Sequence, residues 1–247
     1  MSVMISTIII KELVKSSEHQ IKELGKIYSL IPATRCKRRA ECCSLLPDAT
    51  LLEALSALKC LMTFTVNRRI KLLQKIAYYF FMNPVEVVSC PFLEDNDCLI
   101  YSHRFFGCRA YGLWSGKYYE NLSGKSRHAK TFIRKQWGRS GISLPTAVMD
   151  FHVPYCSNVK VGKNKFIDDQ MLLNISDRIE TLSQHFGQWD QMFRQMYFSD
   201  LSFLVASLIY GFPESVRLKF TIVSDVVKRG IREKLDKTLL EAYDIFS

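Results

Sequence analysis

Hydrophobic positions recur at helical spacing over most of this chain. Ile10, Leu13, Ile21, Leu24, Ile27 and Leu30 mark a stripe over residues 7–30 that stops at Pro32. Asp48 reads as the N-cap of a helix carrying Leu51, Leu52, Leu55, Leu58 and Met62 on one face. The next helix runs roughly from Arg68 to Phe81, with Leu72, Leu73, Ile76, Ala77 and Phe80 inward. Asn83-Pro84-Val85-Glu86 has the form of a further helix start, with Asn at N-cap, Pro at N1 and Glu at N3.

The helical period then breaks. In SCPFLEDNDCLIYSHRFFGCR, residues 89–109, two short apolar runs flank Glu94-Asp95-Asn96-Asp97, which is turn chemistry. A small hairpin there would bring Cys90 and Cys98 together. A basic helix is predicted from Tyr118 to Arg139. The stretch from Gly141 to Lys165, punctuated by Pro145 and Pro154, reads as loop. From Ile167 onward the pattern is helical again. Met171, Leu172, Ile175, Ile179 and Leu182 form one stripe, and Pro213 opens a later helix at N1.

These elements predict a mainly α fold: a helical domain with irregular cysteine-rich metal-binding loops and at most a short β-hairpin. The expected division is a cysteine-cluster metal-binding domain over 1–140 and a helical C-terminal region over 141–247, packed on the same core. With 247 residues, 48% hydrophobic and 23% charged, the chain has the composition and length to bury a sizeable core.

Compartment decides how the eight cysteines are read. The opening MSVMISTIIIKELVKSS has no basic segment ahead of its apolar run, which Lys11 and Glu12 cut short, so no secretory signal is expected. The apolar run Leu201–Phe212 is too short to span a bilayer. No membrane association and a cytoplasmic location are the expectation. In a reducing cytoplasm, clustered thiols point to metal or redox chemistry rather than disulfides.

Cys36, Cys42, Cys43, Cys90, Cys98 and Cys108 fall in motifs, with Arg35, Lys37, Arg38, Arg39, Arg104 and Arg109 beside them. Thiolate is the metal-binding form, and neighbouring cations stabilise it. Adjacent Cys42 and Cys43 suit a polynuclear cluster or two neighbouring sites and fit one ion poorly. Cys60 lies on a predicted helix and reads as a core residue. Cys156, beside His152 in a proline-bounded loop, is a further ligand candidate; His103 is a weaker one.

CKRRAECC with CPFL, CLIY and a later Cys-Arg resembles the YkgJ-like cysteine-cluster family, whose signature is C-x2-C-x2-C-C followed by a CPFL-type segment. The match covers residues 36–109. Cys36, Cys42 and Cys43 fall on the first, third and fourth cysteines, and Arg39 on the second. The family tends to carry Arg-Pro where this chain has Arg104-Phe105. The resemblance implies zinc or iron chelation; Cys156 and a histidine are the candidates for replacing the thiol missing at Arg39, a choice the sequence leaves open. Flagellin lysine-N-methylases are similar through the same pattern, which extends the implication to protein modification.

Metal identity is not set by the spacing. Structural zinc favours short paired spacings, which are absent here. Scattered cysteines with a Cys-Cys pair and flanking arginines fit an iron–sulfur cluster better, with zinc as the alternative. No phosphate-binding G-x-x-x-x-G-K-[ST], dinucleotide G-x-G-x-x-G or H-E-x-x-H motif is present. Gly138-Arg139-Ser140-Gly141 reads as a helix end rather than a nucleophile elbow.

The net charge of +10 is uneven: residues 104–139 hold nine Lys or Arg and one acid, Glu120. Such a segment attracts an anionic partner or substrate; nucleic acid is disfavoured without being excluded. Three readings stand. The first is a metal protein with redox, electron-transfer or protein-modifying activity, its pocket lined by Tyr101, Arg104, Arg109 and Tyr111. The second is a metal-stabilised module that docks an anionic partner. The third is a non-catalytic structural or storage site.

Overall fold

The computed structural model describes residues 4–35, 40–162 and 166–247. The fold is mainly α. Helices α1 (Thr7–Ser16) and α2 (Glu18–Tyr28) share the stripe expected over residues 7–30. They part at Ser17, whose buried hydroxyl donates to the Val14 carbonyl at 2.8 Å and so competes with helix continuation. Strand β1 (Thr34–Arg35) precedes a single 3-10 turn, Glu41–Cys43.

Helix α3 (Leu51–Leu61) is buried on nearly every face. Its cap is Thr50, not Asp48. The Thr50 hydroxyl accepts the Glu53 N–H at 3.3 Å, and the Glu53 carboxylate accepts the Thr50 N–H at 2.9 Å. Helix α4 (Val66–Met82) buries Leu72, Leu73, Ile76, Ala77 and Phe80 as expected. No helix starts at Asn83. The Val85 and Glu86 N–H groups both turn back to the Met82 carbonyl. Glu86 is drawn to Arg232 at 2.8 Å and to Tyr78 instead of capping.

The predicted hairpin is present as β2 (Leu93–Glu94) and β3 (Asp97–Cys98), paired antiparallel. Asp95 and Asn96 both have positive φ, 48° and 63°. That is the backbone of a two-residue primed turn, which Asn and Asp tolerate. A second 3-10 turn (Tyr101–His103) leads into α5 (Phe106–Ala110), then α6 (Gly116–Arg139), and a short α7 (Thr146–Met149) within the expected loop. Strand β4 (Lys160–Val161) pairs with β1. Then come α8 (Asp169–Ser183), α9 (Gln188–Met196), α10 (Leu201–Tyr210), α11 (Phe212–Arg229) and α12 (Glu233–Leu240). Pro213 sits in the first turn of α11.

Helices α3, α4 and α10 form the centre. Helix α10 packs on α4 and α11, α12 closes on α4, and α3 takes α1, α2, α8 and α9 around it. Leu51, Leu52, Leu55, Leu58 and Leu61 are fully buried, each contributing on the order of 2 kcal/mol. The main core mixes both expected regions: Leu55, Phe81 and Phe105 share one cluster with Tyr197, Leu204 and Ile222. Among the described residues, no single helix is long and apolar enough to cross a membrane. Helix α10 is instead almost wholly buried, and the chain bends by 107° between α10 and α11. Gly211 supplies the positive φ of 84° at that bend.

Candidate metal centre

Five of the motif cysteines line one cavity of about 90 Å³. Cys42 and Cys43 reach it from the 3-10 turn, Cys90 and Cys98 from the loop and hairpin after α4, and Cys108 from α5. Cys36 follows β1 directly and lies outside the described residues, as do Lys37, Arg38 and Arg39.

Backbone hydrogen bonds tie the first two segments together. The Cys90 N–H donates to the Cys43 carbonyl at 2.7 Å, which ties the turn to the CPFL segment. The Leu93 N–H bonds back to Cys90, and the Leu99 N–H bonds to Phe92, closing the hairpin beneath the cavity wall. Phe92 and Phe105, both fully buried, pack with ring centroids 6.3 Å apart and line the same space. Glu53 reaches from α3 to the start of α5: its carboxylate accepts the Phe106 N–H and the Tyr28 hydroxyl, each at 2.6 Å.

Electrostatics separate the thiols. The hydrogen bond between the free Cys42 and Cys43 thiols lowers Cys42 to about 7, with Arg104 helping and burial opposing, and raises Cys43 strongly. Burial pushes Cys90 up to about 12, and the Cys98 and Cys42 thiols add to this. Burial also raises Cys108 and Cys98, against Arg104 in both cases. A cation inside the cavity would offset this penalty, since burial disfavours the thiolate form while its charge is uncompensated.

Five thiols share one cavity wall. Among the described residues, no three His, Cys, Asp or Glu side chains converge closely enough to hold one metal ion. The thiols are instead spread around a space large enough for about three waters. One pair is close. The Cys42 and Cys43 sulfurs lie 3.9 Å apart, against about 3.8 Å for two thiolates at 2.3 Å on one tetrahedral ion. The 3-10 turn places both side chains on the wall of one cavity.

Other sequence candidates are not brought to the cavity. Cys60 is buried in α3 and does not line it. Cys156 is buried in a loop held by the Tyr111 and Tyr119 hydroxyls, which donate to the Pro154 and Val153 carbonyls at 2.7 Å, and it is not part of the cavity wall. His103 Nδ1 pairs with the Ser56 hydroxyl at 2.9 Å, and His152 is exposed. Tyr101 and Arg104 do line the cavity, and the Arg104 guanidinium stacks on the Tyr101 ring at 4.4 Å. Arg109 turns away to the Tyr28 ring at 4.1 Å and donates to the Arg104 and Ser102 carbonyls. Tyr111 is likewise outside the wall.

Comparison with known proteins returns no family model, no curated protein and no solved structure that matches this chain.

Proposed function

We propose that this protein is a thiolate-ligated metal protein whose centre is an iron–sulfur cluster held by cysteines drawn from Cys42, Cys43, Cys90, Cys98 and Cys108, with Cys36 as a further ligand. One observation carries the reading: five thiols from three chain segments line one cavity. That is more cysteines than one zinc needs, and with flanking arginines such a set favours a cluster. When bound, such a cluster supplies a one-electron redox centre. Arg104 faces the same cavity and offsets negative thiolate charge, while Phe92, Phe105 and Ile100 exclude water.

Zinc is the second reading, and the 3.9 Å spacing of Cys42 and Cys43 favours it. The resemblance to YkgJ-like proteins is compatible with both metals, and its extension to protein modification remains part of this proposal.

Helix α6 gives the proposal a partner surface for an anionic protein or substrate. It has no buried residue over Gly116–Arg139 and carries seven Lys or Arg against one acid, Glu120. Binding through it would weaken steeply with salt.

The test is metal retention across cysteine variants purified without oxygen. Loss in Cys90→Ser and Cys108→Ser with retention in Cys60→Ser supports the assignment. Full retention in both cavity variants rejects it.

A further inference from the structure

A second cavity, of about 450 Å³, opens where α6 and α7 meet the end of α4 and the middle of α11. Its volume falls in the range of small-molecule sites. The walls are largely apolar and aromatic, with Trp137, Phe151 and Phe198 among them. Two lysines, Lys130 and Lys219, also line it.

Lys219 is placed unusually. Its ammonium lies over the Phe80 ring, 4.0 Å from the centroid, and donates to Asn83 Oδ1 at 3.2 Å. Among the described residues, no carboxylate comes within ion-pair distance of it. Lys219 is half-buried, and desolvation lowers it to about 8 while the Asp200 charge opposes this. It is still mostly protonated at neutral pH.

The two carboxylates in the wall are committed elsewhere. Glu86 is held by Arg232 and Tyr78. Asp200 caps α10, accepting the Ser202 N–H at 2.7 Å, its hydroxyl at 2.6 Å, and the Phe203 N–H at 3.3 Å. Lys130 donates to the Val148 and Phe151 carbonyls at the end of α7, which fixes its charge at the opposite wall.

We propose that this cavity binds a small organic anion, its carboxylate or phosphate head paired with Lys219 and its flat apolar body lying against Trp137 and Phe151. An anionic head supplies the direct ion pair that Lys219 lacks, since Asp200 acts on it only through space. The aromatic walls supply the apolar contact. The site shares no lining residue with the cysteine cavity, so it stands whether or not a metal is bound there.

Calorimetric titration with 2-naphthoate, 2-naphthyl phosphate and uncharged 2-naphthylmethanol tests this on the wild-type chain and on Lys219→Met. Lys219→Gln serves as a second variant, and circular dichroism checks the fold of each. At least one anion should bind with one-to-one stoichiometry. Its affinity should fall at least tenfold in the folded variant and should exceed that of the alcohol at least tenfold. Which anion binds tells a carboxylate head from a phosphate one. Metal content should be the same in variant and wild type. Failure of both anions to bind at millimolar concentration, a loss of less than tenfold on substitution, or comparable binding of the alcohol overturns the proposal.

Discussion

The Glu53 carboxylate accepts the backbone N–H of Phe106 at 2.6 Å. Glu53 belongs to the most buried helix, and Phe106 begins the short helix that carries Cys108. The same carboxylate takes the Tyr28 hydroxyl at 2.6 Å and the Thr50 N–H at 2.9 Å, so one side chain joins α2, α3 and α5. A short helix has little stability of its own. Its position beside the cysteine cavity depends on this anchor.

Replacing Glu53 by Ala leaves four donors without this acceptor: the Phe106 N–H, the Tyr28 hydroxyl, and the Thr50 N–H and hydroxyl. The expected loss is about 2–4 kcal/mol of folding stability, read by urea denaturation. Metal content should fall with it, because Cys108 loses its fixed place. Glu53→Gln, which keeps an acceptor oxygen, should lose less on both measures. Equal stability of the Ala variant and wild type would remove Glu53 from this role.

Cysteine substitutions should divide by geometry rather than by sequence neighbourhood. Cys42→Ser or Cys43→Ser should abolish metal retention, since both sulfurs face the cavity. Cys60→Ser and Cys156→Ser should leave it intact. Elemental analysis of each variant purified without oxygen gives the comparison. Full metal occupancy in Cys42→Ser would break the assignment, and a drop in Cys156→Ser would return that residue to the ligand set.

Much of this was readable along the chain, and the exceptions have physical causes. The inward face of α4 and the turn at Asp95-Asn96 are local consequences of periodicity and turn chemistry. So is the Thr50-x-x-Glu53 capping box, which carries its own signature; Asp48 merely lies nearer the preceding proline. The break at Ser17 depends on a single buried hydroxyl that apolar spacing does not reveal. Arg109 turns to Tyr28, and Cys156 sits behind two tyrosine hydroxyl bonds, because of contacts between segments distant in sequence. The same reason hides Lys219, whose neighbours Asn83 and Phe80 lie more than a hundred residues away.

The Arg69–Asp244 pair fixes the C-terminal segment to α4. The Asp244 carboxylate is almost fully buried and accepts from Arg69 Nε, Arg69 Nη2 and the Phe246 N–H. The Arg69 hydrogen bond holds Asp244 below the ordinary carboxylate range. A depressed folded-state value means that the unfolded chain binds the proton first as pH falls. The stabilisation is therefore complete above about pH 4 and is lost at lower pH. Asp244→Asn should melt below wild type at pH 6, by several degrees. The gap should shrink in acid. A gap independent of pH would contradict an ionic role.

Lys219 predicts a slope of the same sign at alkaline pH. It titrates at about 8 when folded and near 10.4 when unfolded. Between those values the unfolded chain holds more protons, so stability rises with pH. Lys219→Met should therefore be the more stable protein at pH 7, by up to roughly 3 kcal/mol, with the advantage fading towards pH 10.5. Denaturation of both proteins across that interval measures it; a constant difference would mean that Lys219 is solvated when folded.

The central claim is that the cysteine cavity holds an iron–sulfur cluster. Iron, zinc and acid-labile sulfide analysis, with a visible absorption spectrum, on protein purified without oxygen tests it most directly. The predicted result is brown protein with iron and sulfide in comparable amounts, absorbance that bleaches on reduction, and no stoichiometric zinc. Colourless protein carrying one zinc per chain would contradict the cluster and make Cys42 and Cys43 a chelating pair on a single ion. Protein free of both metals would contradict the metal centre itself.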